Sequence, residues 1–215
     1  MEKHTLKSFD CDLDKIKYEL NQLANIVLIE FEQAIDVFEK PNQQLAHGIA
    51  KQDIKANQYV VNIEQLSALI LTRQNAVADD LRFILASMRI APKLERVGDY
   101  AKSMALKASQ FNHAISPDIA HKFHQMHLHL MTMLRNVIEA YNTKNATQAN
   151  IVWEEDDLLD TYYHDVYAKI LQSLKDHTTS PEQLVALLFI AKGLERAGDH
   201  ISDSAKDVQF MVSGT

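Results

Sequence analysis

Glycine and proline are scarce in this chain. Its 215 residues include five Gly and four Pro, about 4% of the sequence, where roughly 12% is usual. A many-stranded β fold needs tight turns rich in these residues, so their scarcity argues against it. Apolar residues make up 47% of the chain, which is normal for a protein with a buried core and excludes disorder as its main state. We therefore expect an all-α protein with long helices.

Cysteine and long apolar runs are also nearly absent. Cys11 is the single cysteine, so the sequence offers no pair for a disulfide, a zinc ribbon or a CxxC redox motif, and we expect a reducing, intracellular setting. No window approaches eighteen consecutive apolar residues, and the opening residues lack the apolar run of a secretory signal. We expect a cytoplasmic protein that reaches a membrane only through its partners.

Basic residues are fewer than acidic residues in this chain. The chain has 22 Lys and Arg against 29 Asp and Glu, a formal net charge of −7, which argues against general affinity for nucleic acids or anionic membranes. The sequence contains no GxxxxGK[ST] phosphate-binding loop and no clustered basic and aromatic residues. The sequence therefore offers no recognisable motif for binding a phosphate group or a nucleic acid.

The breaks between periodic apolar segments predict six long helices. Ser116-Pro117 and Ser180-Pro181 each place an N-cap Ser before Pro at the first helical position. Pro92 falls inside the third helix and should kink or divide it, because it removes a backbone donor and clashes with the preceding turn. The predicted helices are residues 9–39, 43–74, 79–112, 117–142, 146–177 and 181–211.

An internal repeat relates the two halves of the chain. A shift of 100 residues sets Ala86–Ala105 on Ala186–Ala205 with nine of twenty positions identical, and LERxGD occurs in both. A second correspondence, at a shift of 103, relates the second and fifth helices. We therefore expect two tandem three-helix bundles related by a pseudo-repeat, with residues 1–114 as the first unit and 115–215 as the second.

Acidic residues recur at equivalent places in both units. Pairs four residues apart lie near one face of a helix, and acids on an apolar stripe are costly to bury without a partner. Convergent carboxylates suit a hard or borderline cation, and the second set should hold it more tightly because Asn57 reduces the charge of the first. The predicted metal ligands are Asp53, Asn57, Glu95 and Asp99 in the first unit, and Asp156, Asp160, Glu195 and Asp199 in the second. The alternative is that these acids are solvated or pair with Arg96, Arg196, Lys93 and Lys192.

These motifs resemble those of the PhoU family of phosphate-transport regulators. The resemblance rests on the repeated LERxGD, the acidic pairs of the second and fifth helices, the ADDLR sequence at 78–82 and the opening HTLKSFDCDLDKIK. It implies two three-helix bundles without enzymatic activity, with acidic motifs that bind metal, often iron or zinc, although manganese, nickel or magnesium would also suit carboxylates. It further implies a homodimer that negatively regulates phosphate uptake and the starvation response. The implied partners are the nucleotide-binding subunit of the phosphate ABC transporter and the phosphate-sensing histidine kinase.

Two other patterns suggest different chemistry. Asp156 to Asp160 match DDxxD, the magnesium-binding pattern of helical enzymes that act on prenyl diphosphates. This alternative leaves the internal repeat unexplained. His121, His124 and His127 recur every three residues on the fourth helix, and we expect them to form a solvated or partner-facing strip rather than a metal site.

Overall fold

Six α-helices form the chain over the residues that the structure, a computed structural model, describes: 2–73, 78–176 and 179–214, with side chains described from residue 9. For five of the six helices, both the first and the last residue lie within four residues of the predicted limits. α1 instead begins seven residues earlier than its predicted start. The helices are α1 (Glu2–Glu39), α2 (Gln43–Arg73), α3 (Ala78–Ala108), α4 (Pro117–Thr143), α5 (Ala146–Lys175) and α6 (Pro181–Ser213).

Side-chain caps fix helix starts, including those of α4, α5 and α6. The Ser116 hydroxyl accepts a hydrogen bond from the backbone N–H of Ile119, and Ser180 accepts one from Gln183. Both N-caps are followed by Pro, as predicted, since Pro at the first helical position needs no N–H partner. Asn145 caps α5 in the same way, after Lys144 reverses the chain in the left-handed conformation with φ of 51°.

Pro92 does not divide α3. The helix is continuous from Ala78 to Ala108, and Pro92 lies on its exposed side between the buried residues Ala91 and Leu94. The backbone carbonyl that loses its helical partner at a proline can be hydrated on a solvent-facing side. Of the two predicted effects of Pro92, a kink or a division of the helix, division is therefore wrong.

The two three-helix units pack through α3 and α6. In each unit the three helices contact one another, α3 lies against α6, and α1 lies against α4. Tyr100 and His200, which are equivalent in the repeat, stack on each other with ring centroids 6.0 Å apart. Contact between equivalent residues is what a pseudo-two-fold relation between the units produces. The Lys93 ammonium also crosses this interface to Asp207 at 2.6 Å.

One apolar core runs through both units. Phe38 of α1 packs against Phe123 of α4 with centroids 4.7 Å apart, which joins the two bundles at a second place. Buried side chains come from all six helices. Within the described parts of the chain, no helix is both long and apolar enough to cross a lipid bilayer.

The histidines of α4 do not form one strip. His121 is exposed, His124 contacts Glu39 at 2.7 Å, and His127 is 5% exposed and lies against Phe31. Residues three apart on an α-helix lie about 60° from each other around the helix axis, so His121 and His127, six residues apart, point about 120° apart. The expectation of a solvated strip is therefore wrong for His127. Burial lowers the pKa of its imidazole to about 4.

Candidate functional site

A buried carboxylate of α2 meets α3 in the first unit. Asp53 is 4% exposed and accepts a hydrogen bond from the Lys102 ammonium at 2.7 Å, while the same ammonium donates to Asp99 at 2.6 Å. Burial alone would lower the pKa of Lys102, but its bonds with the two carboxylates outweigh burial and raise it. Lys102 therefore stands as a charged bridge between α2 and α3.

Glu30 of α1 lies beside the acids of α2 and α3. It is fully buried and neither of its carboxyl oxygens has a hydrogen-bond partner. Burial, followed by repulsion from Asp53, raises its pKa to about 8. A Cβ at Gly98 would lie 2.8 Å from Glu30 Oε2, so the glycine makes room for the carboxyl group. We call Glu30, Asp53, Glu95, Asp99 and Lys102 the first cluster.

The remaining predicted ligands of this unit differ in position. Burial and the neighbouring Asp99 raise the pKa of Glu95, and Arg96 partly offsets them. Arg96 contacts both carboxylates of its own helix, at 3.8 Å from Glu95 and 3.3 Å from Asp99. Asn57 is exposed and makes no hydrogen bond within the first cluster. The structure thus brings Asp53, Glu95 and Asp99 together and leaves Asn57 outside.

In the second unit the carboxylates of α5 and α6 face one another. The pKa of Asp156 is raised to about 6, first by burial and then by repulsion from Asp199 and Asp160. The side-chain hydrogen bond with Ser202 lowers this pKa in part. A Cβ at Gly198 would collide with Leu159 and lie 3.1 Å from Asp156 Oδ1, so this glycine permits the close approach of the helices.

The acids on the outer side of this group are more open to solvent. Asp160 and Asp199 are exposed, and burial together with Glu195 and Asp160 raises the pKa of Asp199. Lys192 donates to Glu195 Oε1 at 2.5 Å, whereas Glu195 Oε2 is buried without a partner. We call Asp156, Asp160, Glu195, Asp199 and Ser202 the second cluster.

The two clusters differ in how their charge is neutralised. The shift of 100 residues that superposes the LERxGD motifs sets Lys102 opposite Ser202. The first cluster therefore contains a cation of its own where the second has a neutral hydroxyl. Of the predicted alternative partners, Arg96 and Lys192 do pair with the acids, whereas Lys93 pairs with Asp207 across the bundle interface.

The two clusters differ in how well their chemistry suits a metal ion. Among residues 9–73, 78–176 and 179–214, no group of three or more His, Cys, Asp or Glu side chains is arranged to hold one. The first cluster does not suit a metal, because the Lys102 ammonium already lies between Asp53 and Asp99. The second cluster has suitable chemistry, with carboxylates that repel each other and an unpartnered oxygen on Glu195.

Two residues of the first cluster were missed by sequence reasoning. Glu30 is a lone acid in the apolar run IVLIEF, and that interruption was the available signal. Lys102 follows Asp99 by three residues, a spacing at which helical side chains are neighbours. Neither belongs to the repeated LERxGD motif, so the recurrence of acidic residues gives no signal for either.

Comparison with known proteins identifies one family for both three-helix units. The PhoU domain matches twice, at residues 20–108 and 123–208. A "Phosphate-specific transport system accessory protein PhoU homolog" of Zymomonas mobilis is 29% identical over 211 residues, covering 98% of this chain and 89% of that protein. One of Xylella fastidiosa is 30% identical over 213 residues with the same coverage.

Solved structures agree with the fold. The crystal structure of PhoU from Pseudomonas aeruginosa superposes with a TM-score of 0.90 at 24% identity, covering 96% of this chain and all of that chain. The phosphate transport system regulatory protein PhoU from Streptococcus pneumoniae gives 0.88 at 25% identity, with 96% and 98% covered. With the domain matched over most of both repeats, the chain belongs to the PhoU family.

Proposed function

We propose that this protein is a cytoplasmic accessory regulator of a high-affinity phosphate ABC transporter. One observation carries the proposal: similarity to phosphate-specific transport system accessory proteins extends over 98% of the chain rather than over one repeat. In this role it contacts the nucleotide-binding subunit of the transporter and the phosphate-sensing histidine kinase. It restrains phosphate uptake and the starvation response, and it acts as a homodimer.

The proposed mechanism is protein contact without catalysis. Large apolar side chains stand exposed on several helices, among them Trp153 at 47% and Phe189 at 63%. Such side chains supply contact area when a partner covers them. This surface supports a role in which the helical bundle conveys a signal between larger assemblies.

The prenyl diphosphate alternative gains no support. Of the DDxxD acids, Asp156 is half-buried and bonded to Ser202, whereas Asp157 and Asp160 are exposed. The family match covers the DDxxD segment within its second PhoU domain, and the curated relatives are named accessory proteins. We assign no catalytic residue to this chain.

A cation in the second cluster remains part of the proposal. Asp156, Asp160, Glu195 and Asp199 would hold it, and iron or zinc, or alternatively manganese, nickel or magnesium, would suit these oxygen donors. The ion would neutralise carboxylates whose mutual repulsion raises the pKa of Asp156 and Asp199. Its contribution would be structural, because it would tie α5 to α6.

The proposal is tested by alkaline phosphatase output in the source bacterium grown in excess phosphate. We expect high output in a strain lacking this gene and low output once the gene is restored. A Leu94→Asp variant places a charge at a fully buried position and should not restore repression, which shows that the folded protein is needed. Low output in the deletion strain would contradict the proposed role.

A further inference from the structure

The first cluster brings four acidic side chains close to the ammonium group of Lys102. Glu30, Asp53, Glu95 and Asp99 converge where α1, α2 and α3 meet. Both oxygens of Glu30 and Oδ1 of Asp53 are buried without hydrogen-bond partners. Unpartnered oxygens on side chains more than nine-tenths buried are costly, and a positive charge nearby is what makes them tolerable.

Lys102 supplies that charge from within the fold. Its Nζ lies 2.7 Å from Asp53 Oδ2 and 2.6 Å from Asp99 Oδ1, and 27% of its side chain is exposed. An ammonium has three donors and no acceptor, so it meets carboxylates much as a small cation does. Because Asp53 is on α2 and Asp99 is on α3, the ammonium ties the two helices together.

The equivalent position of the second unit lacks a cation. Ser202 occupies the place of Lys102, and its hydroxyl bonds to Asp156, the repeat counterpart of Asp53 at the shift of 103 residues. The lysines of α6 bond to acids of their own helix instead, Lys192 to Glu195 and Lys206 to Asp203. At this position the two units therefore differ by one positive charge.

We propose that the ammonium of Lys102 takes the place of a metal ion between Asp53 and Asp99, so that the first cluster is neutralised by the chain itself and binds no metal. This assignment replaces the metal that the sequence predicts for Asp53, Asn57, Glu95 and Asp99. It concerns the cluster alone and stands independently of the proposed regulatory role, which the phosphatase assay tests separately.

Counting bound ions tests the proposal. Purified full-length protein, treated with a chelator and then dialysed, is titrated with Mn²⁺ while free Mn²⁺ is measured by its electron paramagnetic resonance signal. We expect wild type and Asp53→Asn to bind equal numbers of ions. Lys102→Ser, which copies the second unit, should bind one more Mn²⁺ per chain, and the added Asp53→Asn change should remove it.

A matched control separates this effect from the loss of any lysine. Lys107 lies on the same helix and bonds to Ser103 rather than to the cluster, so Lys107→Ser should bind as wild type does. Fewer ions on Asp53→Asn than on wild type would overturn the proposal, as would Lys102→Ser binding no additional ion. If Lys102→Ser fails to fold, wild type is compared with Asp53→Asn and with the part-exposed Asp99→Asn, and any loss of ions overturns it.

Discussion

Replacing Lys102 with Met should destabilise the protein far more than loss of an ordinary surface lysine. The change keeps the length of the side chain and removes the ammonium from Asp53 and Asp99. Asp53 is 4% exposed, so its carboxylate would remain buried beside Asp99 and Glu95 with no compensating charge.

The magnitude follows from burial. Removing one partner of a fully buried ion pair costs about 3–5 kcal/mol. Because 27% of the Lys102 side chain is exposed, solvent screens part of this interaction and we expect about 2–4 kcal/mol. Asp53→Asn in the Lys102→Met background should recover part of the loss, since it removes the stranded charge.

The assay is urea unfolding at pH 7.5, followed by circular dichroism. Lys206→Met is the matched control, because Lys206 forms an ion pair with Asp203 three residues away, at 2.9 Å, with both side chains half exposed. Exposed pairs of this kind contribute about 0–1 kcal/mol. Equal effects of Lys102→Met and Lys206→Met, or no recovery on adding Asp53→Asn, would refute the bridging role of Lys102.

Two further predictions concern packing and pH. Gly198→Ala should cost about 1–2 kcal/mol of unfolding free energy, because the added methyl group meets Leu159. Gly48→Ala, at an exposed helical position with nothing within 4 Å, should instead stabilise the protein by about 0.5–1 kcal/mol. If urea unfolding gave both variants the same change in unfolding free energy, this packing around Gly198 would be contradicted. His127 has a folded pKa of about 4 against 6.5 unfolded, so the unfolded chain takes up its proton first and stability falls as pH drops from about 6.5 to 4. At pH 4 this loss of unfolding free energy is about 3 kcal/mol. The His127→Gln variant should not show this loss. Unfolding curves of the variant and of wild type over a pH series test this, and equal losses in both proteins would disprove it.

The helices and the repeat could be predicted because their signals are local. Ser116-Pro117 and Ser180-Pro181 mark helix starts through bonds that span three residues. LERxGD recurs at a fixed distance, which relates α3 to α6 without knowledge of their packing. Sequence alone therefore sufficed for the architecture and for the family resemblance.

The make-up of the carboxylate clusters was only partly predictable because it depends on packing between helices. Positions four residues apart on a helix differ by about 40° around the axis, so Asn57 and Asp160 turn outward while Asp53 and Asp156 face inward. Glu30 enters the first cluster from α1, which the repeated motif does not include. The charge of Lys102 could be assigned to the cluster only once α2 and α3 were placed side by side.

The proposed repression of the phosphate-starvation response through the sensor kinase can be examined by combining two deletions. Alkaline phosphatase output is measured in excess phosphate in strains lacking this gene, the gene for the phosphate-sensing histidine kinase, or both. We expect high output in the first strain and low output in the double deletion, because the proposed repression acts through the kinase. High output in the double deletion would contradict it.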